Sequence, residues 1–194
     1  MRRYCQRLKL YTWNIIHIWW MKSLKIALIV SLTSLSVASR IALAAFPNIK
    51  LVAFIAIMSG ILLGSRIGFI VGFLSMLISD LAFFGLGYWT VATAPCMGFI
   101  GFLAGLTLKD IKRISRLDLF LAGFALTLIY DISTSIILAL PFYGGLERAF
   151  IAAMIGLFLP TPYPMGPVHE LSTGLALSML AHPIASYMER IKVR

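Results

Sequence analysis

Arg40, Asn48, Asp80, Asp131, His169 and Glu170 lie inside, or at the ends of, long apolar runs. An ionisable group at membrane depth costs roughly 2.5–3.5 kcal/mol on insertion scales, so such groups turn toward one another or toward a polar solute rather than toward lipid. Two arrangements satisfy that requirement, and they are compatible. Arg40 can neutralise Asp80 or Asp131 as a buried structural ion pair. The six residues can also line a pocket for a polar solute. Around them the spacing is helical. Thr127, Asp131 and Thr134 are four and three residues apart and share one helix face, with Ser135 beside them. Gly166, His169, Glu170 and Thr173 share another. The run Gly85-Leu-Gly87-Tyr88-Trp89-Thr90 adds Trp89 and Thr90. Trp89 is read either as an interface-belt anchor or as a platform stacking on a planar ligand, with the glycines letting the loop close over it.

What positions these residues is a set of apolar helices. Hydrophobic residues make up 60% of the 194, and mean hydropathy is +0.94. A bilayer core about 30 Å thick takes about 20 helical residues. The apolar runs predict an all-α integral membrane protein with six spans, at 24–45, 51–64, 67–84, 91–108, 117–140 and 166–188. A shorter run at 149–159, bounded by Gly144, Gly145 and Pro160, predicts a half-helix or amphipathic surface segment. Six spans place fourteen of the seventeen basic residues on one side; only Arg40, Lys50 and Arg148 fall elsewhere. Cytoplasmic loops carry this excess, so both termini are expected to be cytoplasmic in a multi-pass protein of the cell membrane. That places the ionisable residues of the first, third, fifth and sixth spans together near the outer face.

The net charge of +10 is then a topology signal and not a nucleic-acid footprint, because the charges flank spans and form no soluble basic face. No Gly-x-x-x-x-Gly-Lys-Ser/Thr loop, Gly-x-Ser-x-Gly elbow or His-Glu-x-x-His motif occurs, so the chain reads as no enzyme and as hydrolysing no ATP itself. No second histidine stands near His169 at ligand spacing, so no metal and no cofactor is expected. Cys5 and Cys96 fall far apart, which argues against a disulfide. Residues 1–20 form a basic, aromatic leader. It is read as a helix on the inner leaflet or as lying ahead of a true start at Met21; from Met21 a cleavable signal peptide ending near Ala42-Leu-Ala44 is the further reading. Residues 21–194 are one six-helix membrane domain.

Small residues define two kinds of contact. Ala27, Ser31, Ser34, Ala38 and Ala42 follow one another at spacings of four, three, four and four on the first span. Such a smooth face lets helices approach closely in lipid, either within the chain or against a partner subunit. Gly60, Gly64, Gly68 and Gly72 flank a tight Ser65-Arg66 turn and predict an internal hairpin, with Gly101 and Gly105 serving the fourth span.

Several stretches, in this order and spacing, carry a resemblance. They are Ser39-Arg40 through Pro47-Asn48-Ile-Lys50, Ser59-Gly60 through Gly64-Ser-Arg66-Ile-Gly68, Ser79-Asp80, Gly87-Tyr88-Trp89-Thr90, Ala94-Pro95 through Gly98, Gly101 through Gly105, Tyr130-Asp131 and Gly166-Pro-Val-His169. Over about 35–188 the chain resembles substrate-binding (S) components of energy-coupling factor transporters. The resemblance implies a six-helix protein that captures a vitamin or related micronutrient outside. It implies partners as well: membrane lipid, an energy-coupling transmembrane subunit and two cytoplasmic ATPases, docked on small residues of the first helix. Within that family the Pro47-Asn48 region is most similar to members handling cobalamin-like or deazaguanine-like compounds. The residues taken alone leave two other classes open: an independent secondary transporter or channel, and an intramembrane enzyme or assembly factor using Asp80, Asp131 and His169.

Overall fold

The computed structural model describes residues 23–46, 49–158 and 167–192. The leader, Pro47-Asn48 and the Pro160–Gly166 stretch lie outside them. Among the described residues the fold is wholly helical: α1 (Ser23–Ala42), α2 (Val52–Leu63), α3 (Ser65–Ser79), α4 (Tyr88–Thr107), α5 (Arg116–Tyr143), α6 (Leu146–Phe158) and α7 (Val168–Lys192).

The centre of the bundle is the shortest of these helices. α2 has twelve residues, apolar on every side, and Val52 to Gly60 are all buried. A helix hydrophobic all round belongs in the middle. α2 packs against α3 and α4, with further contacts to α5 and α7; a second layer pairs α5 with α7 and with α6. Glycine lets the α2–α3–α4 unit close up. A Cβ at Gly60 or Gly68 would run into the Gly101 carbonyl, and one at Gly72 into that of Met97. The expected internal role of these glycines is therefore what the packing uses.

Among the described residues four helices are long and apolar enough to cross a membrane: α1, α3 with its continuation to Phe84, α4 and α5. α2 falls short on length. α7, at 25 residues, has the length, but His169, Glu170 and His182 dilute its apolar character. Cross-helix contacts nonetheless sort the ends. At one end the Lys112 amine pairs with Glu189, and His182 Nε2 lies 3.1 Å from the Ile114 carbonyl. At the other, Arg40 meets Asp80, Tyr88 meets Ile137 and Asp131 meets His169.

Local chemistry sets the helix boundaries. Ser115 caps α5, its Oγ accepting from the Asp118 amide at 3.1 Å. Gly144, left-handed at φ 64°, stops it. Within α5, Pro141 has no N–H to offer the Ile137 carbonyl one turn back. The Tyr88 hydroxyl donates to that carbonyl instead, at 2.6 Å, and ties the start of α4 to α5. The short run expected at 149–159 is α6, which turns the buried Ala149 and Ala153 inward and leaves Phe150, Ile151 and Ile155 exposed.

Helix ends differ from expectation by a few residues, and one difference moves candidate residues. The fourth span was expected from 91, with 85–90 a loop; α4 begins at Tyr88, so Trp89 and Thr90 sit in its first turn. Thr90 Oγ1 accepts from the Gly87 amide at 3.4 Å, which starts the helix early.

Candidate functional site

α3 does not end as a regular helix. From Asp80 to Phe84 it widens into a π-helical segment, closed by Gly85 at φ 83°. Such single-turn widenings occur mostly at functional positions. Asp80, fully buried, lies at its start. Its Oδ1 accepts from Arg40 Nη1 at 2.6 Å and its Oδ2 from Thr90 Oγ1 at 2.7 Å. Arg40 Nη1 also donates to Ser79 Oγ, which passes its own proton to the Ser75 carbonyl at 2.7 Å. The guanidinium carbon stands 4.5 Å from the Phe84 ring centroid, a cation–π contact. One carboxylate thus joins α1, α3 and α4. Of the two partners open to Arg40, the structure selects Asp80.

Asp131 is held elsewhere. On α5 its Oδ2 lies 2.9 Å from His169 Nδ1 on α7. An ionised carboxylate can only accept, so Nδ1 carries a proton in this contact. Tyr130 stands edge-on to His169, centroids 6.0 Å apart. His169, Glu170 and Thr173 are buried; His169 Nε2, Glu170 Oε2 and Thr173 Oγ1 have no hydrogen-bond partner among the described residues.

The threonines flanking Asp131 are engaged locally. Thr127 Oγ1 donates to the Gly123 carbonyl at 2.8 Å and Thr134 Oγ1 to that of Tyr130 at 2.9 Å. Both are buried, and only Asp131 of that face reaches another helix. Trp89 is 45% exposed, its ring packed over Gly87. Asn48 lies outside the described residues.

Sequence reasoning passed over Lys50. It was counted as a stray cation between the first two spans, yet it is half-buried in the connection from α1 to α2. Burial, and then Arg40, pull its amine below the ordinary lysine value; Asp131 and Asp80 oppose them. Lys50 therefore feels charges from both nodes. Its isolation from other lysines on that side was the one signal available. Three other participants left no signal at all: Ser79, the Phe84 face and the π-helical turn depend on three-dimensional placement.

The five small residues of α1 have a common fate. Ala27, Ser31, Ser34, Ala38 and Ala42 are all exposed, whereas Thr33 and Ser36 on the other side are buried. α1 is also the least buried of the four long apolar helices, at 11% of its apolar window. Leu28, Leu32 and Leu35, beside the stripe, face α2 and α7 across an apolar cleft. The small face points away from the chain's own helices.

The arrangement brings together charges of both signs, aromatic surface and unpaired buried polar atoms. Among the described residues no group of His, Cys, Asp and Glu is placed to hold a metal ion. A family model described as ECF-type riboflavin transporter, S component matches residues 16–161. No curated protein and no solved structure matches the chain. The matched stretch holds Arg40, Lys50, Asp80, Thr90 and Asp131 and ends before α7.

Proposed function

Because the chain belongs to the family of ECF-type riboflavin transporter S components, we propose that it is the subunit that captures a flavin outside the cell membrane and delivers it to an energy-coupling module. Membership makes it a multi-pass transporter subunit that binds a small vitamin-like molecule, and not an enzyme. The family match is the observation that carries the choice of ligand. It favours a flavin over the cobalamin-like or deazaguanine-like compounds expected from Pro47-Asn48.

The proposed topology has six spans, α1 to α5 and α7, with both termini cytoplasmic; α6 lies at the surface. This topology puts fourteen of the seventeen basic residues on one side, which supports it. The proposed ligand site is the opposite end: Arg40, Asn48, Lys50, Asp80, Trp89, Thr90, Thr127, Asp131, His169 and Glu170. Within it, Arg40, Asp80 and Thr90 form a wall by bonding one another, and Thr127 by bonding its own helix. Asp131, His169, Glu170 and Lys50 keep capacity for a solute. Trp89, half-exposed in the first turn of α4, offers a stacking face. The docking face for the coupling subunit is Ala27, Ser31, Ser34, Ala38 and Ala42. Its outward exposure supports the partner reading over internal packing. Two cytoplasmic ATPases complete the module.

Riboflavin fluorescence is quenched on stacking, so titration of the purified protein in detergent is the direct test. A saturable one-to-one quench, reduced by roughly 10- to 150-fold in affinity in Asp131→Asn, is expected from loss of a charge-assisted hydrogen bond. Absence of a quench, with a different small molecule found by native mass spectrometry, would remove the flavin and leave the capture role.

A further inference from the structure

α1, α2 and α7 leave between them a cleft of about 170 Å³, apart from the charged nodes described above. Leu28, Leu32 and Leu35 of α1 form one wall, and Ile184 and Met188 of α7 another. α2 is the floor. The polar residue there is Ser59, 2% exposed, whose Oγ donates to the Ile55 carbonyl at 2.6 Å. The surface the cleft presents is therefore wholly apolar. Small-molecule pockets run to roughly 300–1,000 Å³ and carry a few convergent polar groups, so this is no second site for a polar solute. An apolar space of this kind stays dry and takes hydrocarbon.

The cleft has a direction and an end. From Leu28 to Leu35 is seven residues, about 10 Å along the axis of α1. It runs lengthwise between helices, as lipid chains run in a bilayer. Leu28, Leu63 and Met188 line it at the end of the bundle where Lys112 meets Glu189. There Lys25 stands three residues before Leu28, one turn away along α1. Arg66 stands three residues after Leu63, in the first turn of α3. Both are exposed, and neither makes an ion pair among the described residues. No acidic residue precedes Asp80 in the chain, and Glu189 near the end of α7 is taken by Lys112. The rim is cationic and uncompensated.

These features choose among occupants. A partner helix is roughly 10–12 Å across with its side chains and does not enter a space of this volume. The leader carries Arg2, Arg3, Arg7, Lys9 and Lys22 and no acid, so a cationic rim repels it. A second copy in the same orientation brings like charges to the same end. An anionic phospholipid answers each feature, with one hydrocarbon chain for the cleft and one phosphate for the rim. We propose that the protein binds one anionic phospholipid, a chain of it lying between α1, α2 and α7 and its phosphate on Lys25 and Arg66. The proposal requires a bilayer around the protein and does not depend on the flavin reading.

Native mass spectrometry of the delipidated protein in detergent tests it, with thermal unfolding run alongside. The probes are phosphatidylglycerol and phosphatidylcholine of the same chains. A first phosphatidylglycerol should bind at least about tenfold tighter than phosphatidylcholine. A cation near the headgroups is worth about a fivefold factor, so Lys25→Gln with Arg66→Gln should weaken phosphatidylglycerol roughly 30-fold and leave phosphatidylcholine within about twofold. Arg113→Gln with Arg116→Gln makes the same change of charge at the entry to α5, which takes no part in the cleft, and should leave both lipids within about twofold. Leu35 is 58% exposed, so Leu35→Trp lays a ring over the cleft without displacing the interior. It should weaken both lipids and melt as the wild type does. Glycerol 3-phosphate, a phosphate without chains, should not compete. Equal wild-type affinity for the two lipids overturns the proposal. So does an equal loss in the α5 pair, which would mean adsorption to the charge of the whole end, or displacement by glycerol 3-phosphate, which would mean a site for free phosphate. Unchanged phosphatidylglycerol binding in Leu35→Trp removes the cleft from the site. If Leu35→Trp loses binding but also melts lower, Leu35→Ala decides: it strips one wall of chain contacts, and unchanged affinity there sinks the proposal.

Discussion

Asp80 receives three helices at one carboxylate, so its worth is best judged by what its removal strands. Asp80→Asn leaves the Arg40 guanidinium, 12% exposed, without a counter-charge. Breaking one side of a buried pair costs about 3–5 kcal/mol, because the surviving charge is uncompensated. The variant should melt well below the wild type in detergent. Adding Arg40→Met to Asp80→Leu should recover most of that loss, since an apolar replacement of the whole pair is often neutral. If Asp80→Asn alone melts normally, Arg40 has another partner and the node is not structural. The positions of Arg40 and Asp80 near one end were legible from residue type and span order. The partner was not, because Asp131 satisfied the same rules of charge and depth. The choice depends on the packing of α3 against α1 and α4, which sets Asp80 beside Arg40 and Thr90, and nothing in the local sequence announces it. Lys50 was missed for a related reason: span counting treats a loop cation as a topology exception, whereas its half-burial within the field of both charged nodes shows only in three dimensions.

At the scale of the element, α1 does two things on two faces. Leu28, Leu32 and Leu35 turn toward α2 and α7, while the small residues turn outward. The stripe itself was legible, since spacings of four, three, four and four fix a helical face whatever surrounds it. Its direction was not, because smallness suits internal and external packing equally. Ala38→Trp uses the direction the structure supplies. A large ring at an exposed position displaces nothing inside the chain, so flavin affinity of the isolated protein should remain within about threefold. Against a partner helix the same ring forbids close approach, so uptake by the assembled importer in cells should be lost. If affinity of the isolated protein falls together with uptake, α1 packs inward at Ala38 and the docking face must be sought elsewhere. Arg40 lies between Ala38 and Ala42 on the same helix, so the proposed docking face and the node that ties α1 to α3 and α4 are only about half a turn apart on one rigid element.

At the scale of the molecule, the proposed six crossings rest on unequal supports. α1, α3, α4 and α5 have the length and apolar character to cross by themselves. α2 is too short for lipid but is enclosed by protein, so its length is set by its neighbours rather than by the bilayer. α7 is long yet polar at its outer turn, and its burial against α5 is what makes that polarity tolerable. Whether α7 crosses can be read without reference to hydropathy. In a background lacking Cys5 and Cys96, single cysteines at the exposed positions Arg66, Arg113, Glu147 and Arg190 report four connections in turn. A membrane-impermeant thiol reagent added to intact cells should label Glu147→Cys alone. Arg66, Arg113 and Arg190 should react only after the membrane is opened. Labelling of Arg190→Cys from outside would mean that α7 does not cross, and the six-span topology with both termini cytoplasmic would fall. Labelling of Arg66, Arg113 and Arg190 with Glu147 protected would invert the protein. The site would then open to the cytoplasm, and capture from outside would be excluded.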